Sequence, residues 1–104
     1  MKKILLTIGL SVVSIFAQAE DDICETVSES AGFIMAARQN GMAASTLINA
    51  AEKAFGDEDA LAIEMISLAF DEPRYNSEDD KQQAVEEFTS MTYLECYKEL
   101  NSMN

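Results

Sequence analysis

The chain of 104 residues carries two cysteines, Cys24 and Cys96, near opposite ends of the stretch 20–104. If they pair, the start of the fold must lie against its finish. Whether they pair depends on the compartment, and the first residues bear on that. Lys2 and Lys3 form a short positive region, Ile4 to Phe16 a mostly apolar run, and Ala17-Gln18-Ala19 a small-residue cleavage signal. That order is a secretory signal peptide. The apolar run has 13 residues, and a membrane-spanning helix takes about 20. Residues 1–19 are therefore expected to be a cleaved leader. Residues 20–104 then form a single helical domain that is not embedded in the membrane. The expected destination is the periplasm or the exterior, where oxidising conditions join two cysteines in a disulfide. A redox or nucleophilic thiol is disfavoured, because there is no C-x-x-C and no basic residue beside Cys24. Closing so long a loop contributes about 4 kcal/mol in the chain-entropy model, a large share for a small core.

Charge narrows the function classes. Lys and Arg number 7 against 19 Asp and Glu, with no His, for a net charge of −12. Cleavage removes Lys2 and Lys3 and no acid, which leaves five cations against 19 acids, a net of −14. Without His there is no imidazole ligand, general base or Ser-His or Cys-His pair. Nucleic acid and anionic membranes both demand a Lys/Arg footprint, so neither is an expected partner. No cofactor and no catalytic residue is indicated. A basic protein is the partner that such a field attracts.

Periodicity predicts four helices. The first spans Asp22 to Asn40, with Ile23, Val27, Ala31, Ile34, Met35 and Arg38 at three- and four-residue spacings. Asp21, Asp22 and Glu25 favour its dipole, and Gly41 is its stop. The second spans Ala44 to Phe55 and ends at Gly56, with Leu47, Ala51, Ala54 and Phe55 on one face. The third is expected from a cap at Asp57 to Asp71, with Asp57, Glu58 and Asp59 in its first turn. It is apolar apart from Glu64, Ser67 and Asp71, so it is either central or covered by a partner. Pro73 ends it, and Glu72 to Asn76 form a loop. Ser77 caps the fourth helix, which carries Glu78, Asp79 and Asp80 in its first turn and runs to Asn101. Val85, Phe88, Thr92 and Cys96 line one face of it. In an all-α, up-and-down four-helix bundle the first and fourth helices are antiparallel, which brings Cys24 to Cys96. Helix pattern and cysteine placement agree.

The candidate chemistry is sparse. Asp57, Glu58 and Asp59, or Asn76, Glu78, Asp80 and Glu87, have calcium-ligand residue types. In the second set Lys81 stands where a calcium loop needs Gly, so both sets read better as helix-start acids. Arg38 reads as a contact to a helix C-terminus or an internal ion pair. Arg74 and Tyr75 follow Pro73 and form either a recognition tip or a solvated loop with Tyr75 packed on the bundle end. Tyr93 and Tyr97 read as surface packing, and Met35, Met65 and Met91 as core. The candidate partner-binding set is thus Arg74 and Tyr75 with Asp57, Glu58 and Asp59 or Glu78, Asp79 and Asp80.

The pattern Cys24…Ile34-Met35…Arg38-Gln39-x-Gly41, then Pro73-Arg74-Tyr75, then Phe88…Tyr93…Cys96-Tyr97-Lys98 resembles a group of small exported proteins of bacteria and their prophages. That resemblance implies location and fold. In architecture alone, the chain is also similar to periplasmic immunity proteins that neutralise amidase effectors and to acid-resistance chaperones. The expected function is a non-catalytic periplasmic protein that inhibits or neutralises a basic protein. One alternative is an acid-stress chaperone, switched as carboxylates protonate at roughly pH 3–5. Another is a prophage-encoded accessory protein. The sequence leaves the oligomeric state open.

Overall fold

The computed structural model describes residues 23–102. The expected leader and the acids Asp21 and Asp22 lie outside the described residues. Four helices follow one another: α1 (residues 23–39), α2 (Ala44–Phe55), α3 (Ala60–Asp71) and α4 (Glu78–Ser102). A 3₁₀ turn, Gly56–Glu58, joins α2 to α3. Among the described residues there is no strand. The fold is all-α, a small four-helix up-and-down bundle tied by one disulfide. No described helix is long and apolar enough to cross a membrane.

The pairing of α1 with α4 sets the topology. Cys24 and Cys96 are disulfide-bonded, with Cα atoms 5.5 Å apart. Further along α1, a Cβ placed on Gly32 would lie 2.5 Å from Oγ1 of Thr89. At the end of α1, Gln39 meets Tyr75 just before α4 begins. Partner numbers fall from 96 to 89 to 75 as α1 is climbed from 24 to 32 to 39, so the helices run antiparallel. Gly32 is a point of close approach between them. Thr89 is held in place there, its hydroxyl donating to the Val85 carbonyl at 2.8 Å.

Helix ends follow local chemistry. At the C-terminus of α1, the Met42 N–H donates to the Ala37 carbonyl at 2.9 Å and the Gly41 N–H to the Arg38 carbonyl at 3.1 Å. This six-to-one and five-to-two pair needs a left-handed residue, and Gly41 supplies it with φ 93°. At the start of α4, the Ser77 hydroxyl accepts from the Asp80 N–H at 3.1 Å. The third helix departs from expectation, starting at Ala60 and not at Asp57. Gly56 leaves α2 with φ 59°, and the chain tightens into the 3₁₀ turn before α3 begins. Asp57 and Glu58 belong to that turn, and Asp59 stands at the N-cap position without a side-chain cap bond. The three acids therefore precede the first turn of α3.

The core joins Ile34 and Met35 of α1, Leu47 of α2, Met65 and Ile66 of α3, and Phe88 of α4. Burying each such side chain contributes about 1.5–3 kcal/mol. α3 is not central. It turns Ala62, Met65, Ile66 and Ala69 inward, and leaves Leu61 and Leu68 exposed. Met91 is also exposed, contrary to its expected core position, because it lies beyond Phe88 at the mouth of a groove. Ile23 is exposed too, so the inward stripe of α1 starts later than the spacing implies. Tyr97 is exposed and Tyr93 half-buried.

Candidate functional site

The loop between α3 and α4 is held by the last turn of α1. Gln39 is 1 % exposed and uses both ends of its amide. Its Nε2 donates to the Pro73 carbonyl at 2.9 Å, and its Oε1 accepts from the Tyr75 N–H at 2.8 Å. The main-chain carbonyl of Gln39 accepts from Nε of Arg74 at 3.1 Å. The Arg74 guanidinium lies over Gly41, where a Cβ would come within 2.8 Å of Nη2. Arg38 donates through Nη2 to the Glu72 carbonyl at 3.1 Å, just past the end of α3. Its guanidinium also stacks on Phe70, 4.7 Å from the ring centroid. The segments Arg38-Gln39-x-Gly41 and Pro73-Arg74-Tyr75, apart by more than 30 residues, are thus two halves of one hydrogen-bonded knot.

Beside this knot lies a groove of about 520 Å³ between α1, the loop and α4. Met35, Ala84 and Phe88 form its floor, and Met91 its exposed end. Glu72, Asp80 and Glu87 are the carboxylates that line it, with Tyr75 and Gln83. Tyr75 is half-buried against the core, so its ring position is fixed by packing while its main chain is fixed by Gln39. Gln83 donates to Glu87 at 3.3 Å along α4.

Of the residues singled out from the sequence, the groove brings together Tyr75 and Asp80. Arg74 is an exposed residue whose Nε is engaged by the Gln39 carbonyl. Glu78 lies 4.0 Å from Lys81 in a surface ion pair, and Asp79 is exposed on the same turn. Asp57, Glu58 and Asp59 sit elsewhere, in the turn between α2 and α3. Among the described residues no group of three or more Cys, Asp or Glu has the geometry to hold a metal ion. Glu72, Glu87 and Phe88 complete the groove; Glu87 was weighed only as a calcium-ligand type, and Glu72 and Phe88 were not singled out as site residues. A helical signal for part of it exists: Asp80, Ala84, Glu87, Phe88 and Met91 recur at three- and four-residue spacings on α4.

Both arginines are engaged by main-chain carbonyls, and Glu72, Asp80 and Glu87 are exposed. An apolar floor with an acidic rim suits a Lys or Arg side chain, whose stem is apolar and whose head is cationic. No protein-family model, curated sequence or solved structure matches the chain.

Proposed function

We propose that this is an exported, non-catalytic binding protein of the periplasm that inhibits or neutralises a basic protein. The observation that carries the reading is the groove in which Glu72, Asp80 and Glu87 surround Met35, Phe88 and Met91. Its chemistry fits a basic side chain, and the field around it points the same way. Residues 23–102 hold sixteen acids against five cations. Such a surface speeds encounter with a cationic partner and fixes its orientation. A rigid knot holding Tyr75 and the disulfide holding α1 to α4 give the pre-organisation that an inhibitor needs.

The test is affinity capture from periplasmic extract at low salt. The oxidised chain is compared with the variant Glu72→Gln/Asp80→Asn/Glu87→Gln. A basic protein retained by the first and lost by the second, with its activity lowered when the chain is added back, supports the reading. Equal retention by both, or none by either, overturns it. A client-aggregation assay at pH 2–3 separates the acid-stress alternative, which requires protection there.

A further inference from the structure

α1 has a second face that the acidic groove does not use. Between α1, α2 and α3 lies another groove, of about 430 Å³. Val27 and Ile34, Leu47 and Ala51, and Met65 and Ile66 form its walls. Three large apolar side chains line it while facing solvent: Phe33 is 71 % exposed, Phe55 56 % and Leu61 53 %. Contiguous apolar groups of this kind, bordered by polar ones, mark interaction surfaces. Exposed aromatics around a pocket are the usual anchors of such surfaces.

Charge identifies the occupant. Thr26 and Ser30 are the hydroxyl residues of the lining, and Glu58 is its charged residue. Asp57 precedes Glu58 in the same turn, and Asp59 follows it at the N-cap position of α3. A second copy of the chain would bring the same acidic turn and a net charge of −11 over residues 23–102 against its like. A helix with an apolar stripe bordered by Lys or Arg supplies both what the walls bury and what the rim attracts. The α1 wall from Thr26 to Ile34 is nine residues, about 13 Å at 1.5 Å per residue. That length matches apolar anchors at i, i+4 and i+7 of a docked helix.

We propose that the groove between α1, α2 and α3 receives a basic amphipathic helix of a partner protein. Its apolar stripe lies among Phe33, Phe55 and Leu61, and its cations lie toward Glu58. The proposal rests on the protein-binding reading and adds to it a second contact surface with a defined shape of ligand.

The full oxidised chain, labelled for amide NMR, is titrated with an 18-residue Leu/Lys amphipathic helical peptide and with its Leu/Glu counterpart. The Leu/Lys peptide is expected to shift the amides of Phe33, Phe55 and Leu61. Phe33→Ser, at an exposed site, is expected to weaken binding tenfold or more, while Glu72→Gln/Asp80→Asn/Glu87→Gln leaves those shifts in place. The Leu/Glu peptide is expected to produce none. Shifts confined to Tyr75–Glu87 overturn this proposal while leaving the acidic-groove reading standing. Absence of shifts, equal binding of the Leu/Glu peptide, indifference to Phe33→Ser, or a Phe33-dependent dimer in sedimentation also overturns it.

Discussion

Along the side of α1 that faces α4, successive turns have specific partners: Cys24 is bonded to Cys96, Gly32 lies under Thr89, and Gln39 holds Pro73 and Tyr75. Along the side that faces α2 and α3, Thr26, Ser30 and Phe33 border an open groove. The two sides belong to one helix and differ in kind. The first is specified by a covalent bond, a close approach and a satisfied buried amide. Each of these accepts one geometry. The second is specified by apolar shape alone, which many side-chain arrangements satisfy. One helix therefore serves as an anchor on one side and an accessible surface on the other.

Substitutions on the fastened side are expected to cost stability in a graded order. Cys24→Ser with Cys96→Ser removes a cross-link between residues 72 apart in sequence and lowers the unfolding free energy by about 4 kcal/mol. Urea unfolding of the oxidised chain and the double variant measures it. A loss near zero would mean that α1 and α4 are held together by other contacts. Gln39→Ala leaves the Tyr75 N–H and the Pro73 carbonyl without their partner, and costs about 3 kcal/mol. Gln39→Glu retains an acceptor for Tyr75, but its ionised form buries a charge with an oxygen facing the Pro73 carbonyl, so at neutral pH its loss is at least as large. The same unfolding measurement ranks the pair.

Gly32→Ala forces a methyl against Thr89 and costs about 2 kcal/mol. Thr89→Ala removes the obstructing hydroxyl. A double-mutant cycle over these two sites should therefore show favourable coupling, the double variant losing less than the sum of the singles. Additivity would mean that the helices separate to admit the methyl without engaging Thr89. On the open side the expected effect is the smallest. Phe33→Ser changes stability by no more than about 0.5 kcal/mol, as is usual for exposed positions without specific contacts. A loss several times larger would show that the second side is fastened as well.

Much of the scaffold was legible because its signals are local. The bounds of α2, the glycine stop of α1 and the serine cap of α4 were read from single residues and their neighbours, and the structure has all three. The disulfide was legible because two cysteines at opposite ends of a helical chain admit one simple topology. The start of α3 was misplaced because Asp57 has the right chemistry for a cap, whereas Gly56 directs the chain into a 3₁₀ turn first. The knot was half legible. Both of its segments stood out as motifs, but a buried amide that bonds main chain 34 and 36 residues away leaves no spacing to read. Phe33 was passed over because stripe reasoning assigns one buried face to a helix, and α1 has neighbours on two. The acidic groove shows the same limit: Tyr75 and Asp80 were singled out, but Glu72 joins them only through the folded loop.

The disulfide has a consequence for the covalent graph of the molecule. With Cys24 bonded to Cys96, the main chain between them is a ring. A protease that cuts once inside that ring, beside Arg74 or Lys53 for example, opens it without dividing the molecule. Such a nick leaves the mass unchanged apart from one added water, and two fragments appear on a gel only after reduction. Two cuts within the ring are needed before the oxidised protein can release a piece of itself.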